Sequence, residues 1–211
     1  MFSNTKYVLI ADFEHLFSAG FEKDVRKVAD MWLNSAGVRH VLVYRIFEIE
    51  AKTTEPKTIS DLKRMLDKEE AVVFHNKFYK GAHDIPGLDE WFKENGTDLE
   101  VSKQAVNYSK FSWEPQFVSR NDIPFHDVHF PFLIRDNTCL RWELCRAGYK
   151  FDILSRHFMY HRGIKRSRGI KLSPKTAYKS HRKFQNALVG FKKRMDETYP
   201  GTKAKCPEPR A

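Results

Sequence analysis

Two runs of apolar, strand-forming sequence, residues 7–12 and 41–49, bracket a stretch whose apolar residues recur at helical spacing. In that stretch Phe21, Val25, Val28, Ala29, Trp32 and Leu33 fall on one stripe, as in a helix that buries one face, and Gly37 follows as a stop. Strand runs without polar alternation are buried on both faces, and a helix laid between two of them marks an α/β sheet. The alternation continues. Residues 58–68 read as a helix behind Pro56 with Leu62, Met65 and Leu66 on one side, 71–75 as a short strand, and 88–93 as a short helix. Residues 113–119 read as a strand interrupted by Pro115.

In the second half, Asp136 or Asn137 caps a helix running to Ala147, with Gly148 as its stop. Residues 151–161 form an extended stretch ending in Tyr160-His161. Pro174 suits the first turn of a long terminal helix, whose Phe184, Leu188, Phe191 and Met195 make one apolar stripe. The expectation is one α/β domain over residues 1–199, then a disordered tail over 200–211.

Hydrophobic residues make up 41% of the 211, and aromatic residues 14%, which excludes a disordered chain. No apolar run approaches the ~18 residues of a membrane span. The opening Met-Phe-Ser-Asn-Thr-Lys has no apolar signal-peptide core. The net charge of +10 is unevenly placed: 15 of the 37 basic but only 3 of the 27 acidic residues lie between Arg162 and Ala211. A near-neutral body thus carries a basic C-terminal segment. A nucleic-acid partner is not expected, because the aromatics of that segment, Phe184 and Phe191, belong to the buried stripe and its cations to the solvated side of the same helix. A basic surface beside an anionic ligand explains the charge equally well, and Lys165-Arg166-Ser167-Arg168 with Lys171 suits a polyanionic acceptor.

Three cysteines, Cys139, Cys145 and Cys206, show no metal-type pairing. Cys139 and Cys145, six apart on one helix, point about 120° from each other and cannot bridge within it. Two sequons, Asn95-Gly96-Thr97 and Asn107-Tyr108-Ser109, lie in polar, loop-like sequence, as in a glycosylated luminal protein.

The sharpest chemical feature is Asp12-Phe13-Glu14 at the end of the first strand. In an extended segment residues i and i+2 face the same way, so two carboxylates leave the sheet together at a strand's C-terminal edge, where α/β proteins bind ligands. Paired oxygen donors suit Mg²⁺ or Mn²⁺, although the same residues also read as a plain acidic turn. His161 ends the strand-like Phe158-Met159-Tyr160 and can complete a metal site or serve as a hydrogen-bonded surface residue.

Taken together, these residues resemble glycosyltransferase family 49, the LARGE-type and β-1,4-glucuronyltransferase-type enzymes. Tyr7-Val8-Leu9-Ile10-Ala11-Asp12-Phe13-Glu14 is similar to that family's strand and D-x-D motif. Further stretches follow in the family's order, among them Phe47-Glu48-Ile49, Lys80-Gly81 with His83, Trp113-Glu114-Pro115, Ile123-Pro124-Phe125-His126-Asp127, Trp142-Glu143-Leu144 and Phe158-Met159-Tyr160-His161. The likeness covers about residues 6 to 198.

The resemblance implies a GT-A-like mixed sheet with flanking helices and an inverting, Mn²⁺-dependent transferase of the Golgi lumen, moving a sugar from a UDP-sugar to a glycan acceptor on a glycoprotein. It places the metal on Asp12, Glu14 and His161. Asp136 is the first candidate for the base that takes the acceptor's proton, with a helix cap as its plainer role. Asp127 is the second candidate, or the residue that orders its loop. His83 touches substrate, or shapes a Gly/Pro loop.

The chain departs from the family at three places. Position 14 is Glu where the family has Asp, and Phe132-Leu133-Ile134-Arg135-Asp136-Asn137 replaces a Gly- and aromatic-rich stretch. The first strand begins close to Met1, where the family has a nucleotide-binding half before it and a membrane anchor before that. Two expectations result: the rear part of a longer transferase, or a catalytically inactive relative that acts as a luminal binding protein.

Overall fold

The computed structural model describes residues 4–35, 37–77, 79–81, 83–94, 100–132, 134–166 and 173–210. The sequon at Asn95, Leu133, and Ser167, Arg168 and Lys171 of the basic segment lie outside these. Where the sequence suggests one domain, the chain divides into two compact units. The first comprises Met1–Asn107, Pro115–Asn121 and Lys150–Ser167, and the second Tyr108–Glu114, Asp122–Tyr149 and Arg168–Ala211.

The first unit is a mixed α/β sheet with helices. Its elements are β1 (Tyr7–Leu9), β2 (His15–Phe17), α1 (Phe21–Trp32), β3 (His40–Ile49), α2 (Ile59–Asp67), β4 (Ala71–Val73), α3 (Leu88–Lys93), β5 (Val101–Val106), β6 (Gln116–Arg120) and β7 (Lys150–Arg162). Strand order is β1-β6-β3-β7-β2, with β4 also on β3 and β5 also on β7. The α/β class expected from the alternating pattern is the one observed.

The two longest strands, β3 and β7, lie side by side and parallel, and every other pairing among the described residues is antiparallel. A strand with apolar residues on both faces must be covered on both, which sends β3 to the interior. Its residues from Val41 to Ile49 are all buried. The stripe of α1 (Phe21, Val25, Val28, Ala29) and Leu33 just after it pack with Leu42, Tyr44 and Ile46 of β3, Val118 of β6, and Leu154 and Met159 of β7. Trp32, expected on that stripe, is largely exposed. Helix α2 starts in a capping box: the Thr58 side chain accepts from the Asp61 N–H, and Asp61 accepts from the Thr58 N–H.

Two features differ from the sequence reading. Strand β1 ends at Leu9, not Asp12, and Asp12 to His15 form a turn closed by the His15 N–H on the Asp12 carbonyl at 3.1 Å. The i, i+2 argument for an extended Asp12-Phe13-Glu14 therefore does not apply; a turn, not a pleat, presents the two carboxylates. Strands β2 and β5 carry no clear strand signal in the sequence, being short or polar, and form by pairing with β7.

The second unit holds α4 (Asp136–Arg146), α5 (Pro174–Thr198) and a 3-10 helix, Pro200–Lys205. Helix α4 stops as expected at Gly148 (φ 82°): the Gly148 N–H reaches the Cys145 carbonyl and the Tyr149 N–H the Leu144 carbonyl, a Schellman closure. Its start is different. Arg135, at φ 58°, occupies the cap position without a side-chain cap bond, and Asp136 is the first helical residue. Phe130, Trp142, Phe184 and Phe191 form an aromatic cluster. The tail expected to be disordered is instead tied down: Cys206 is disulfide-bonded to Cys145, and the Thr202 hydroxyl donates to the Arg146 carbonyl at 2.5 Å. Cys139 is buried and free, in keeping with the helix geometry that separates it from Cys145.

Candidate active site

The register of the sheet assembles the site. His15 of β2 pairs with His161 of β7, and His161 pairs with Glu48 of β3, so the three lie in one row across neighbouring strands. Because paired residues share a sheet face, side chains distant in sequence become neighbours. The turn before β2 adds Asp12 and Glu14.

Glu14 Oε2 lies 3.1 Å from His161 Nε2. The His161 Nδ1 faces the Gly163 carbonyl at 3.3 Å, which calls for a proton on Nδ1 and leaves a lone pair on Nε2 when the ring is neutral. Two acceptors at 3.1 Å require a proton or a cation between them. Two donors cis on an octahedral ion with bonds of ~2.1 Å sit about 3 Å apart, so this pair fits a small divalent cation. Asp12 takes a different partner: its Oδ2 is 3.6 Å from His15 Nε2, and its N–H donates to His15 Nδ1 at 3.2 Å. The Asp12 side chain is 85% exposed, and Phe13 between the two carboxylates is 95% exposed, so the turn stands in solvent. Among the described residues no three His, Cys, Asp or Glu side chains form a ready metal cage. The donor types, two carboxylates and an imidazole, suit Mn²⁺.

Behind this pair lies a cluster that the sequence did not disclose. The Phe74 ring meets His75 stacked at 4.0 Å and His83, His15 and His161 edge-on at 5.1, 6.0 and 6.2 Å between centroids. His75 and His83 are 5.3 Å apart, and His75 Nε2 is 3.8 Å from Glu48 Oε1. Glu48 is only 1% exposed, and its carboxylate accepts the Lys165 N–H at 3.1 Å. Burial raises the Glu48 pKa, against the pull of the Lys165 and His75 N–H groups. Burial, with the charges of His83, Lys165 and the other histidines, pushes His75 down to about 3. Burial also lowers His15, against the attraction of Asp12. His75 has φ 60°, a left-handed conformation that His, like Asn and Asp, adopts more readily than most other non-Gly residues. The one available signal was Glu48, a carboxylate inside an apolar strand.

Of the sequence-predicted residues, Asp12, Glu14, His161 and His83 thus lie around one end of β2 and β7 in the first unit. His83 is buried against Phe74. Asp127 and Asp136 belong to the second unit. Asp127 accepts from the His129 N–H at 3.0 Å and meets His129 Nδ1 at 2.7 Å and Arg194 Nη2 at 3.1 Å. Burial would raise its pKa, yet the His129 N–H, the His129 side chain and Arg194 hold it below the ordinary carboxylate value. Arg194 also forks onto both oxygens of Glu143, at 2.8 and 2.9 Å. Asp127 therefore orders its loop. The Asp136 carbonyl accepts from Cys139 Sγ at 3.0 Å, while its carboxylate lies in the first turn of α4, favoured by the helix dipole.

A family model described as "Glycosyl-transferase for dystroglycan" matches residues 1–200. Beta-1,4-glucuronyltransferase 1 of Mus musculus is 23% identical over 202 residues, covering 95% of this chain and 47% of that protein. The proteins of the same name from Danio rerio and Homo sapiens are each 24% identical, over 207 and 201 residues. They cover 97% and 95% of this chain, and 46% and 47% of their own length. The chain spans about half the length of the curated relatives it matches.

Proposed function

The chain belongs to glycosyltransferase family 49, and on that basis we propose that the protein moves a sugar from a UDP-sugar to a glycan acceptor on a glycoprotein, with inversion at the anomeric carbon. The observation that carries this reading is the Glu14–His161 pair, two donors at 3.1 Å beside Asp12 in an exposed turn. Asp12, Glu14 and His161 would hold Mn²⁺. A divalent cation there supplies charge neutralisation to a diphosphate leaving group. His161 is oriented by the Gly163 carbonyl, which directs Nε2 at the ligand position.

Asp136 is the general base of this reading: its carboxylate takes the proton of the attacking acceptor hydroxyl. Between the two candidates, Asp136 is preferred, since Arg194 and His129 already occupy Asp127 and lower its basicity. His83, edge-on to Phe74, shapes the floor behind the metal ligands. The Golgi lumen is the proposed location, and the Cys145–Cys206 disulfide supports an oxidising compartment.

The test is calorimetric titration of UDP into the full-length protein, with Mn²⁺ and with EDTA. Binding that needs Mn²⁺ and is lost in His161→Ala supports the reading. Mn²⁺-independent binding, or none, overturns it.

A further inference from the structure

We infer that Asn107 is an N-glycosylation site, a modification that stands apart from the transferase reading. Two independent observations meet there. The first is local: in Asn107-Tyr108-Ser109 burial alternates exposed, buried, exposed immediately after β5. Tyr108 is 4% exposed; its hydroxyl donates to the Trp113 carbonyl at 2.9 Å and its ring lies 5.6 Å from that of Trp113. With the middle residue anchored inward, Asn107 and Ser109 both face solvent, and Asn107 follows the last residue of a strand rather than sitting within one. An oligosaccharide on the Asn107 amide therefore displaces no core contact of the tripeptide.

The second observation is the Cys145–Cys206 disulfide, which joins residues 61 apart. Such bonds form and persist in oxidising compartments, the same ones in which sequons are modified. The co-substrate is a lipid-linked oligosaccharyl diphosphate. The Asn107 amide nitrogen bonds to C1 of its first sugar, the C1–O bond to the diphosphate breaks, the nitrogen gives up one proton, and the lipid diphosphate leaves.

The experiment directs the full chain into the secretory pathway of a eukaryotic cell and maps the secreted protein without reduction. Once the Cys145–Cys206 peptide pair is present, peptide-N-glycosidase should convert Asn107 to Asp in the tryptic peptide 104–110. Asn107→Gln and Ser109→Ala should each remove the glycan, and Ser109→Thr should keep it. Ser109→Ala leaves the Asn107 side chain in place, so the result does not hang on how Asn107→Gln folds. An unmodified Asn107 in a disulfide-bonded chain overturns the inference. So does a mass shift retained in full by both variants, which would place the whole of the glycan on Asn95 and none on Asn107. Neither readout involves sugar transfer by this protein, so the two proposals stand or fall separately.

Discussion

Glu14 Oε2 and His161 Nε2 stand 3.1 Å apart although 147 residues separate them in the chain. The pairing of His15 with His161 across β2 and β7 makes this possible, since Glu14 directly precedes His15. Its electrostatics demand a proton or cation between carboxylate and imidazole, which makes the pair the first place to probe.

Glu14→Gln and His161→Ala should each weaken Mn²⁺-dependent UDP binding by more than ~10-fold, the lower end of what loss of a mere outer-sphere partner costs a metal site. The Glu14 side chain is 59% exposed and that of His161 only 26%, so thermal unfolding should move little in Glu14→Gln and fall modestly in His161→Ala. Titration calorimetry and a melting curve on each variant check this; unchanged affinity in both removes the pair from the metal site.

Asp136→Asn should abolish turnover while leaving Mn²⁺-dependent UDP binding intact, because a base acts on the acceptor and not on the donor. Asp127→Asn should instead lower stability, through its bonds to Arg194 and His129. A variant pair in which Asp127→Asn alone loses turnover at unchanged stability would reverse the assignment.

The bridge made by Arg194 between Glu143 and Asp127 predicts a large cost for its removal. Both carboxylate side chains are under 10% exposed, at 6% and 9%, and would lose their shared cation, Asp127 keeping only its bonds to His129. Arg194 itself is 42% exposed, so solvent screens part of the effect. Arg194→Ala should cost about 2–3 kcal/mol, below the value for a fully buried pair, and Arg194→Lys should recover only part because the fork onto Glu143 is lost. Urea denaturation measures both.

Acid should destabilise the protein through His75. Its folded pKa is about 3 against an ordinary 6.5, so between those values the unfolded chain binds a proton that the fold refuses. Stability therefore falls as pH drops from 6.5 toward 3. Glu48, with a raised pKa, acts with the opposite sign above its ordinary 4.5. His75→Asn keeps a residue that tolerates the left-handed backbone but does not titrate. It should flatten the fall of Tm between pH 6.5 and 4.5, and an unaltered slope would show that His75 is not its source.

Reduction should loosen the C-terminus. A closed loop spanning the 61-residue separation is worth about 4 kcal/mol in the chain-entropy account. Cys206→Ser should approach that loss in denaturant titration, whereas Cys139→Ser should leave the disulfide intact.

Much of this protein was legible in the order of its residues. The apolar run 41–49 marked β3 as an interior strand, and the stripes of α1 and α5 named most of their buried faces; Gly148 and Pro174 marked a helix end and a helix start. These signals are local, because burial periodicity and end-capping act within a few residues. The ordered likeness to family 49 likewise lay in the sequence alone. What the sequence could not express is which strand pairs with which. Short strands such as β2 owe their existence to a partner, and a one-residue slip in register would turn His161 to the other face of the sheet. Only the tertiary structure set Glu48, His75 and His83 around Phe74, brought Cys206 to Cys145, and turned Asp12 and Glu14 out on a loop instead of a strand. These contacts depend on packing between distant segments, and no local pattern encodes them.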